Sequence, residues 1–419
     1  MLLIYNLSLF FYRIIIQLAA LWGNEKAKQW TNGRKDIFKH IHTQLQSQKS
    51  ELKTLWIHVA SLGEFEQGRP IIEALKNPTP QYKIILTFFS PSGFEVRKNY
   101  PFADHIFYLP LDSKRHAQLF LDLIKPDLAI FVKYEFWYHY LTELNRRSIP
   151  TLLVSAIFRE KQFSKWSPYT PILIRVLKTF RHIFVQDTPS VSILQKQAIE
   201  QVTCVGDTRI DRVVAIAQEA KHFPIIEQFV QNQPVFIGGS TWQPDEAIIM
   251  SIFKQAAFDN WKFIFAPHDI STKNIERLEK SLPEPSLRYS QLTNPSPTPS
   301  VRILIIDNVG MLSAIYRYGR IAYIGGGFGS GIHNTLEPIA FGLPVIFGTK
   351  YQKFAEAVEL VKTGGGFTVS DEESFQSVMT NLVLEKNHIQ ASNSAKNYVL
   401  NNRGATSKVI TYLKQKITN

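Results

Sequence analysis

Apolar residues come in short runs, each closed by polar turn residues and followed by a helix-length segment. In the first half these runs are Leu55–Ala60 (LWIHVA), Lys83–Phe89 (KIILTFF), Ile106–Leu109, Leu128–Val132 (LAIFV), Thr151–Ser155 (TLLVS), Ile183–Gln186 (IFVQ) and Val202–Val205 (VTCV). They are continuous rather than alternating, which predicts strands of a parallel sheet covered on both faces. The second half repeats the pattern with Val235–Ile237, Trp261–Phe265, Val301–Ile306, Ile321–Ile324, Pro344–Phe347 and a turn into a strand over Gly364–Val369. Helices are predicted from Ser61 to about Leu75, near Pro244-Asp245-Glu246 with Ser240 or Thr241 as cap, and over Met311–Tyr318. The proline-bearing run Pro283–Ser300 reads as a loop. Lys408–Thr418 reads as a polar helix that crosses back onto the first domain. The layout is an apolar helix over 1–22, α/β domains over 23–220 and 221–400 with a linker near 212–233, and a terminal helix over 401–419. Two such domains with polar loops at their strand ends point to a cleft enzyme.

The first 22 residues, MLLIYNLSLFFYRIIIQLAALW, break the pattern. As a helix, Asn6, Arg13 and Gln17 share a stripe about 40° wide and the remaining surface is largely apolar. Such a helix is about 33 Å long, close to the hydrocarbon thickness of a bilayer. No positive segment precedes the run and no small-residue cleavage site follows, which argues against a cleaved signal peptide. A membrane span and a helix lying in the interface both fit, with Arg13 snorkelling or pairing with a lipid phosphate. A helix packed on its own domain or on a second subunit is the competing reading. Lys26, Lys28, Arg34, Lys35 and Lys39 follow, against Glu25 and Asp36, and place the body in the cytoplasm, held against the inner surface of a membrane.

Charge narrows the partners. The 419 residues carry a formal net charge of +12, which suits an anionic surface or substrate: nucleic acid, phospholipid or a nucleotide sugar. The single cysteine, Cys204, excludes an intramolecular disulfide and a cysteine-based metal site.

The densest candidate chemistry lies in Ile321–Gly348, IAYIGGGFGSGIHNTLEPIAFGLPVIFG. Strand, glycine loop, a helix from Asn334 to near Gly342, and strand make a βαβ unit. Glycines at 325, 326, 327, 329 and 331 let backbone approach a ligand, and the loop and helix mouth favour an anion. Asn334 and Glu337 stand at that mouth, as in a sugar-nucleotide site. Their spacing equally matches a capping box. No G-x-G-x-x-G opens the helix, so this is not the dinucleotide fingerprint.

Polar residues also follow the strands of the first domain. Glu64 sits in a helix's first turn, where a carboxylate is favoured and can act as a base; Ser61-x-x-Glu64 also matches a capping box. Glu135 lies among Tyr134, Phe136, Trp137 and Tyr138, as a cleft acid or a salt-bridged structural residue. Arg159, Lys161 and Lys165 interleave with Phe158, Phe163 and Trp166. Such a patch fits nucleic acid, a phosphorylated lipid or an ordinary solvated face. No nucleic-acid module accompanies it, so among ligands the lipid is preferred and no nucleic-acid partner is expected.

Five blocks then resemble the 3-deoxy-D-manno-octulosonic acid (Kdo) transferase family of lipopolysaccharide synthesis. They are Ser61-Leu62-Gly63-Glu64, Ser90-Pro91-Ser92-Gly93, Gly206-Asp207-Thr208-Arg209-Ile210-Asp211, Gly239-Ser240-Thr241 and Gly329 to Pro338 (GSGIHNTLEP). The resemblance implies a GT-B glycosyltransferase, with two Rossmann-like domains facing a central cleft behind the N-terminal helix. The donor would be CMP-Kdo, and the acceptor the tetraacylated, bisphosphorylated lipid A precursor, lipid IVA. It implies Glu64 as catalytic base, with Glu135 and Arg209 assisting the transition state. It implies donor contacts at Pro267, His268, Gly310, Met311, Leu312, Asn334, Thr335, Leu336 and Glu337, to which Gly329 and Gly331 of the loop are added. Acceptor contacts are expected at Ser90, Ser92, Gly93, Arg159 and Lys161. The family commonly has Lys at 209, Arg at 268 and Glu at 311; His268 need not be charged at neutral pH, and Met311 offers only a backbone or apolar contact. No Asp-x-Asp site is present, so no metal and no cofactor is expected. One transfer and two successive transfers both remain open. The alternatives are a membrane-surface GT-B enzyme moving a UDP-linked sugar to a polyprenyl-linked acceptor, and a non-catalytic membrane-associated sugar-nucleotide-binding protein.

Overall fold

The computed structural model describes residues 2–46, 51–77, 82–164, 167, 169–219, 221–292 and 301–416. The chain forms two compact units, Met1–Asp211 with Gly404–Asn419, and Arg212–Arg403.

The first unit is built on seven strands: β1 Thr54–Val59, β2 Lys83–Phe88, β3 His105–Tyr108, β4 Leu128–Val132, β5 Thr151–Ala156, β6 His182–Val185 and β7 Val202–Cys204. Their spatial order is β3-β2-β1-β4-β5-β6-β7 and all pairs are parallel. Side chains alternate across the sheet, so both faces of an apolar run find a core. Leu55 and Ile57 of β1 pack with Phe65 and Ile72 of helix Leu62–Lys76, and with Ala405, Val409 and Leu413 of helix Ala405–Lys416. The latter three recur every fourth residue and make one buried stripe, which seats the chain's last described helix in this unit. Burying each such aliphatic side chain contributes about 1.5–3 kcal/mol. Trp56, on the other face of β1, packs with Phe120, Phe131 and Tyr140.

Helix Leu2–Leu21 has no buried residue, yet it is docked. Tyr5 Oη donates to Asp112 Oδ2 at 2.5 Å, and His139 Nε2 donates to Asn6 Oδ1 at 2.7 Å. The ring of Tyr12 meets Trp30 edge-on at 5.9 Å. Asn6, Arg13 and Gln17, the polar stripe, thus turn toward the body. Leu3, Phe10, Phe11, Ile15 and Leu18 stay exposed.

The second unit holds β8 Val235–Thr241, β9 Lys262–Pro267, β10 Ser286–Arg288, β11 Ile303–Ile305, β12 Ile321–Ile324, β13 Val345–Gly348 and β14 Gly366–Val369. Their order is β10-β11-β9-β8-β12-β13-β14, again parallel throughout. The two Rossmann-like α/β units expected of the GT-B class are therefore present.

Four details differ from expectation. The run from Pro283 contains β10, a three-residue edge strand. Pro283 and Pro285 precede it, where a missing N–H costs no ladder bond; residues 293–300 of that run lie outside the described residues. The stretch near 212–233 is largely helical, in Thr208–Gln218 and Pro224–Val230. β8 runs on through Gly-Gly-Ser-Thr with a register shift at Ser240, whose φ is +52°. Neither Ser240 nor Thr241 therefore caps helix Gln243–Ile249; Trp242 holds the N-cap position, and Asp245 Oδ2 accepts its N–H at 2.9 Å. The helix expected from Asn334 begins at Leu336 and lasts five residues.

Candidate functional site

In a parallel sheet the loops past the strand carboxyl ends bind ligands, above all where chain order reverses. In the first unit that point lies between β1 and β4, neighbours in space whose connections leave in opposite directions. Glu64 follows β1 and Glu135 follows β4. The fold therefore puts both carboxylates at the switch point.

Glu64 is half-buried in the first turn of helix Leu62–Lys76. The capping box is not formed: Ser61 makes no side-chain bond to the helix backbone, and its hydroxyl donates to Glu64 Oε2 instead. The same three-residue spacing that fits a cap here orients a carboxylate.

Glu135 is buried, and Trp137 Nε1 donates to its Oε2 at 2.6 Å. His58 Nε2 lies 3.0 Å from the same oxygen. His58 is fully buried in β1, and its Nδ1 faces Thr87 Oγ1 at 2.9 Å. Trp56 Nε1 donates to that hydroxyl at 2.8 Å, and Ile57 O lies 3.4 Å from it. Nδ1 also lies 3.2 Å from Thr87 O and Trp137 Nε1 lies 3.0 Å from Nε2, so each imidazole nitrogen has a partner, Thr87 on one side and Glu135 with Trp137 on the other. Sequence reasoning missed His58 and Thr87. The available signal was a histidine at an inward strand position, which must satisfy two nitrogens without water.

Arg209 opens helix Thr208–Gln218 and is already ion-paired: Nε and Nη2 reach Asp207 Oδ2 at 2.9 and 2.6 Å. Beside it, Thr208 Oγ1 donates to Gln67 O at 2.5 Å, tying this turn to the helix that carries Glu64. Ser90 caps helix Pro91–Arg97, accepting from Ser92 N at 3.2 Å. A Cβ on Gly93 would fall 2.5 Å from Phe88 Cδ1 and 3.1 Å from Leu62 N, so this glycine lets the loops after β1 and β2 touch. Arg159 pairs with Asp187 at 2.9 Å, and Lys161 is exposed in the turn Glu160–Phe163. Phe158 and Phe163 are core residues, which removes them as stacking platforms. Lys165 and Trp166 lie outside the described residues.

In the second unit the switch point lies between β8 and β12. A cavity of about 310 Å³ opens there. Of the expected donor residues, His268, Gly310, Leu312, Asn334 and Glu337 line it; Gly239, Ser240, Ser313, Tyr316, Ile324 and His333 join them. Pro267, Met311, Gly329, Gly331, Thr335 and Leu336 are not on its wall. Pro267 ends β9, Thr335 and Leu336 are fully buried, and Met311 caps the turn Leu312–Ile315, with its Sδ accepting from Asn308 Nδ2 at 2.9 Å.

The glycine loop serves the chain more than expected. A Cβ on Gly325 would lie 2.1 Å from Ser240 O, and one on Gly327 2.5 Å from Gly348 N. These glycines admit neighbouring backbone rather than a ligand. The N–H groups are engaged as well: Gly325 bonds Gly239 O, Gly326 bonds Asp245 Oδ2, and Gly329 and Gly331 bond Gly326 O. The expected anion cradle at these four N–H groups is therefore not formed. Nor does a five-residue helix present a useful dipole. Asn334 Oδ1 accepts from Leu336 N at 3.1 Å while its amide donates to Glu337 Oε1 at 3.0 Å, an arrangement distinct from the capping box.

What the cavity does offer is rings and hydroxyl chemistry. His268 stacks between Trp242 (4.6 Å) and His333 (4.4 Å), and Trp242 Nε1 donates to His333 Nε2 at 3.1 Å. Burial, and then the charge of His268, hold the His333 imidazole below its ordinary value. Burial and then the charge of Glu337 push the Tyr316 hydroxyl well up, so it remains a neutral donor. Glu337 supplies an acceptor suited to sugar hydroxyls.

Residues 34–212 match the family described as 3-Deoxy-D-manno-octulosonic-acid transferase (kdotransferase). The 3-deoxy-D-manno-octulosonic acid transferase of Aquifex aeolicus (strain VF5) is 29% identical over 356 residues, 84% of this chain and 92% of that protein. The Haemophilus influenzae transferase of the same name is 26% identical over 372 residues, 86% of each chain. The crystal structure of UDP-GlcNAc 2-epimerase from Neisseria meningitidis bound to UDP-GlcNAc superposes with a TM-score of 0.61 at 16% identity, covering 87% of this chain and all of that one; at that identity it shows the fold alone. Residues 34–212 thus match the Kdo transferase family, in a chain similar over most of its length to curated Kdo transferases.

Proposed function

We propose that this protein transfers Kdo from CMP-Kdo to the lipid A precursor, lipid IVA, at the cytoplasmic face of the inner membrane. The observation that carries the reading is the pair Glu64 and Glu135 at the β1/β4 switch point, inside the segment matched by the family. Acceptor chemistry is assigned to the 23–220 domain, with Ser90, Ser92, Gly93, Arg159 and Lys161 as contacts. CMP-Kdo binding is assigned to the 221–400 domain, with Glu337 receiving ribose hydroxyls and His268, Gly310 and Leu312 on the cavity wall.

Glu64 takes the proton of the acceptor hydroxyl. That oxygen forms a bond to the anomeric carbon of Kdo as the bond to the CMP phosphate oxygen breaks, and CMP leaves with the bonding pair. A single displacement inverts the anomeric centre, with no metal in the step. General-base assistance contributes roughly 10²–10⁴ in rate. Glu135, held through its Oε2, keeps its other oxygen for the substrate. Arg209 and a protonated His268 offset charge on the departing phosphate.

The N-terminal helix is assigned to the membrane interface rather than to a span. Its docking through Tyr5 and Asn6 supports this: a spanning helix would have to give up those bonds, whereas an interfacial one keeps them and offers its exposed apolar face to lipid. It is long and apolar enough to cross a membrane by length and composition.

The test of the chemistry is Glu64→Gln. Transfer should fall by about 10³-fold, within the range general-base catalysis supplies, while CMP-Kdo binding persists. Near-normal turnover would remove Glu64 from the role.

A further inference from the structure

Under the N-terminal helix lies a second, open cavity of about 570 Å³, lined entirely by residues of the first unit. Its wall joins Arg13 and Gln17 of the helix to Arg34, Lys35, Lys39 and His116 of the body. Asp36 is the one acidic residue on that wall. Arg13, Lys35 and Lys39 make no ion pair among the described residues, whereas elsewhere on this surface Lys28 is paired with Glu25.

The fourth cation is held in an unusual way. Arg34 donates to Leu109 O at 2.9 Å, Trp30 O at 3.2 Å and Phe89 O at 2.7 Å, all carbonyls. Its guanidinium sits over the rings of Trp30, Phe89 and Tyr108 at 4.1, 4.8 and 4.9 Å. Burial pulls it down to about 9, so it stays charged at neutral pH without a carboxylate partner. Four cations thus line a concavity with one anion, at the root of a helix whose outward face is a row of exposed leucine, isoleucine and phenylalanine side chains. The positive groups and the apolar face are arranged as the two ends of a lipid are: a phosphate on one side and acyl chains on the other.

We propose that this cavity binds the phosphate of an anionic membrane lipid, with Arg13, Lys35 and Lys39 as direct ligands and Arg34 as a fixed charge behind them. The acyl chains lie along the exposed face of Leu2–Leu21. The inference rests on the interfacial reading of that helix, and it adds a discrete site to what would otherwise be diffuse attraction. Diffuse attraction acts on every basic residue near an anionic surface and needs the surface to be present. A discrete site binds one lipid without any bilayer.

The test is titration of the full chain with monomeric dihexanoyl-phosphatidylglycerol, dihexanoyl-phosphatidylcholine and inorganic phosphate, alongside flotation on vesicles containing phosphatidylglycerol. The site predicts one-to-one binding of dihexanoyl-phosphatidylglycerol, at least tenfold tighter than the choline lipid. The paired reversal Lys35→Glu with Lys39→Glu should weaken it at least tenfold. Lys26→Glu with Lys53→Glu, an equal change of net charge off the cavity wall, should change it less than threefold. Unaltered thermal unfolding of both variants shows that they fold. Inorganic phosphate binding as tightly as the lipid would make this a free-phosphate site and overturn the lipid assignment. Equal loss in both paired variants would reduce the effect to diffuse charge and overturn the site. Flotation without one-to-one binding would overturn the site and leave the interfacial helix standing; loss of both would overturn both.

Discussion

His58 Nε2 lies 3.0 Å from Glu135 Oε2, joining the middle of the first unit's sheet to the carboxylate at its switch point. The contact closes a buried relay of polar groups from Trp56 through Thr87 and His58 to Glu135. It fixes a buried carboxylate that a loop alone would leave free to turn. His58→Leu strands Thr87 and removes one of two partners on Oε2, which costs about 1–3 kcal/mol for the groups left unpaired. We expect turnover to fall by about 10²-fold, the scale of a misplaced catalytic group. His58→Gln, which retains an N–H in the same position, should recover at least tenfold of that loss at unchanged acceptor KM. The two variants, compared by kcat and by urea unfolding, separate positioning from folding; full turnover in His58→Leu would leave the relay without a role.

The glycine loop admits a sharper division of labour than its composition suggests. Gly327→Ala forces a methyl to within 2.5 Å of Gly348 N, and should destabilise the second unit by about 1–3 kcal/mol. Gly329 is different, since its added methyl meets only Gly326 O at 3.5 Å. Gly329→Ala should unfold like wild type. If it also binds CMP-Kdo like wild type, Gly329 makes no donor contact; a selective loss of binding would assign one. Urea midpoints and donor titration on both variants decide this.

Asp112 gives the N-terminal helix a pH dependence. Burial pushes its carboxyl up to about 6, against bonds from Tyr5 Oη and the N–H groups of His139 and Tyr140, which pull it down. Because the folded value exceeds the unfolded one, Asp112 contributes stability below about pH 4 that is lost as pH rises through about 6. Above that window the charged form depends on Tyr5. Tyr5→Phe should therefore cost about 1.5–3 kcal/mol at pH 7.5, the range for a bond to a charged group, and less at pH 5. Denaturant titrations at the two pH values measure the difference, and equal costs would contradict the assignment.

His333 has the opposite sign. Its value is held down by burial and by His268, so the neutral ring that accepts the Trp242 N–H is retained at neutral pH and above. Acidification below the ordinary histidine value of about 6.5 charges the unfolded form first, and stability is lost as pH falls through the lower folded value. The Trp242 contribution to fluorescence, taken as wild type minus Trp242→Phe, should change on acidification, and by less in His333→Gln, which keeps His268 against the indole. A flat profile in the wild type would show that the stack does not titrate.

Much of this architecture was legible because parallel strands are buried on both faces and read as unbroken apolar runs, as in Leu128–Val132, where all five residues are buried. β10 escaped because three residues at a sheet edge, behind two prolines, carry no such run. At the site, Ser61 and Glu64 were visible, but their spacing could not distinguish a cap from a hydroxyl–carboxylate bond; only the geometry does. His58 was hidden by its setting, a single polar residue in LWIHVA whose partners Thr87 and Glu135 are distant in the chain. Composition alone makes the glycines look ligand-facing, because it does not reveal that Ser240 and Gly348 press against them.

Purified full-length protein should be incubated with lipid IVA and either CMP-Kdo or UDP-N-acetylglucosamine, with nucleotide release and the mass of the lipid followed together. CMP release matched by lipid gaining one or two Kdo residues is expected, absent with Glu64→Gln, and no UDP release. UDP release with a hexosamine added to the lipid, or no turnover with CMP-Kdo by a protein that still binds it, would contradict the account.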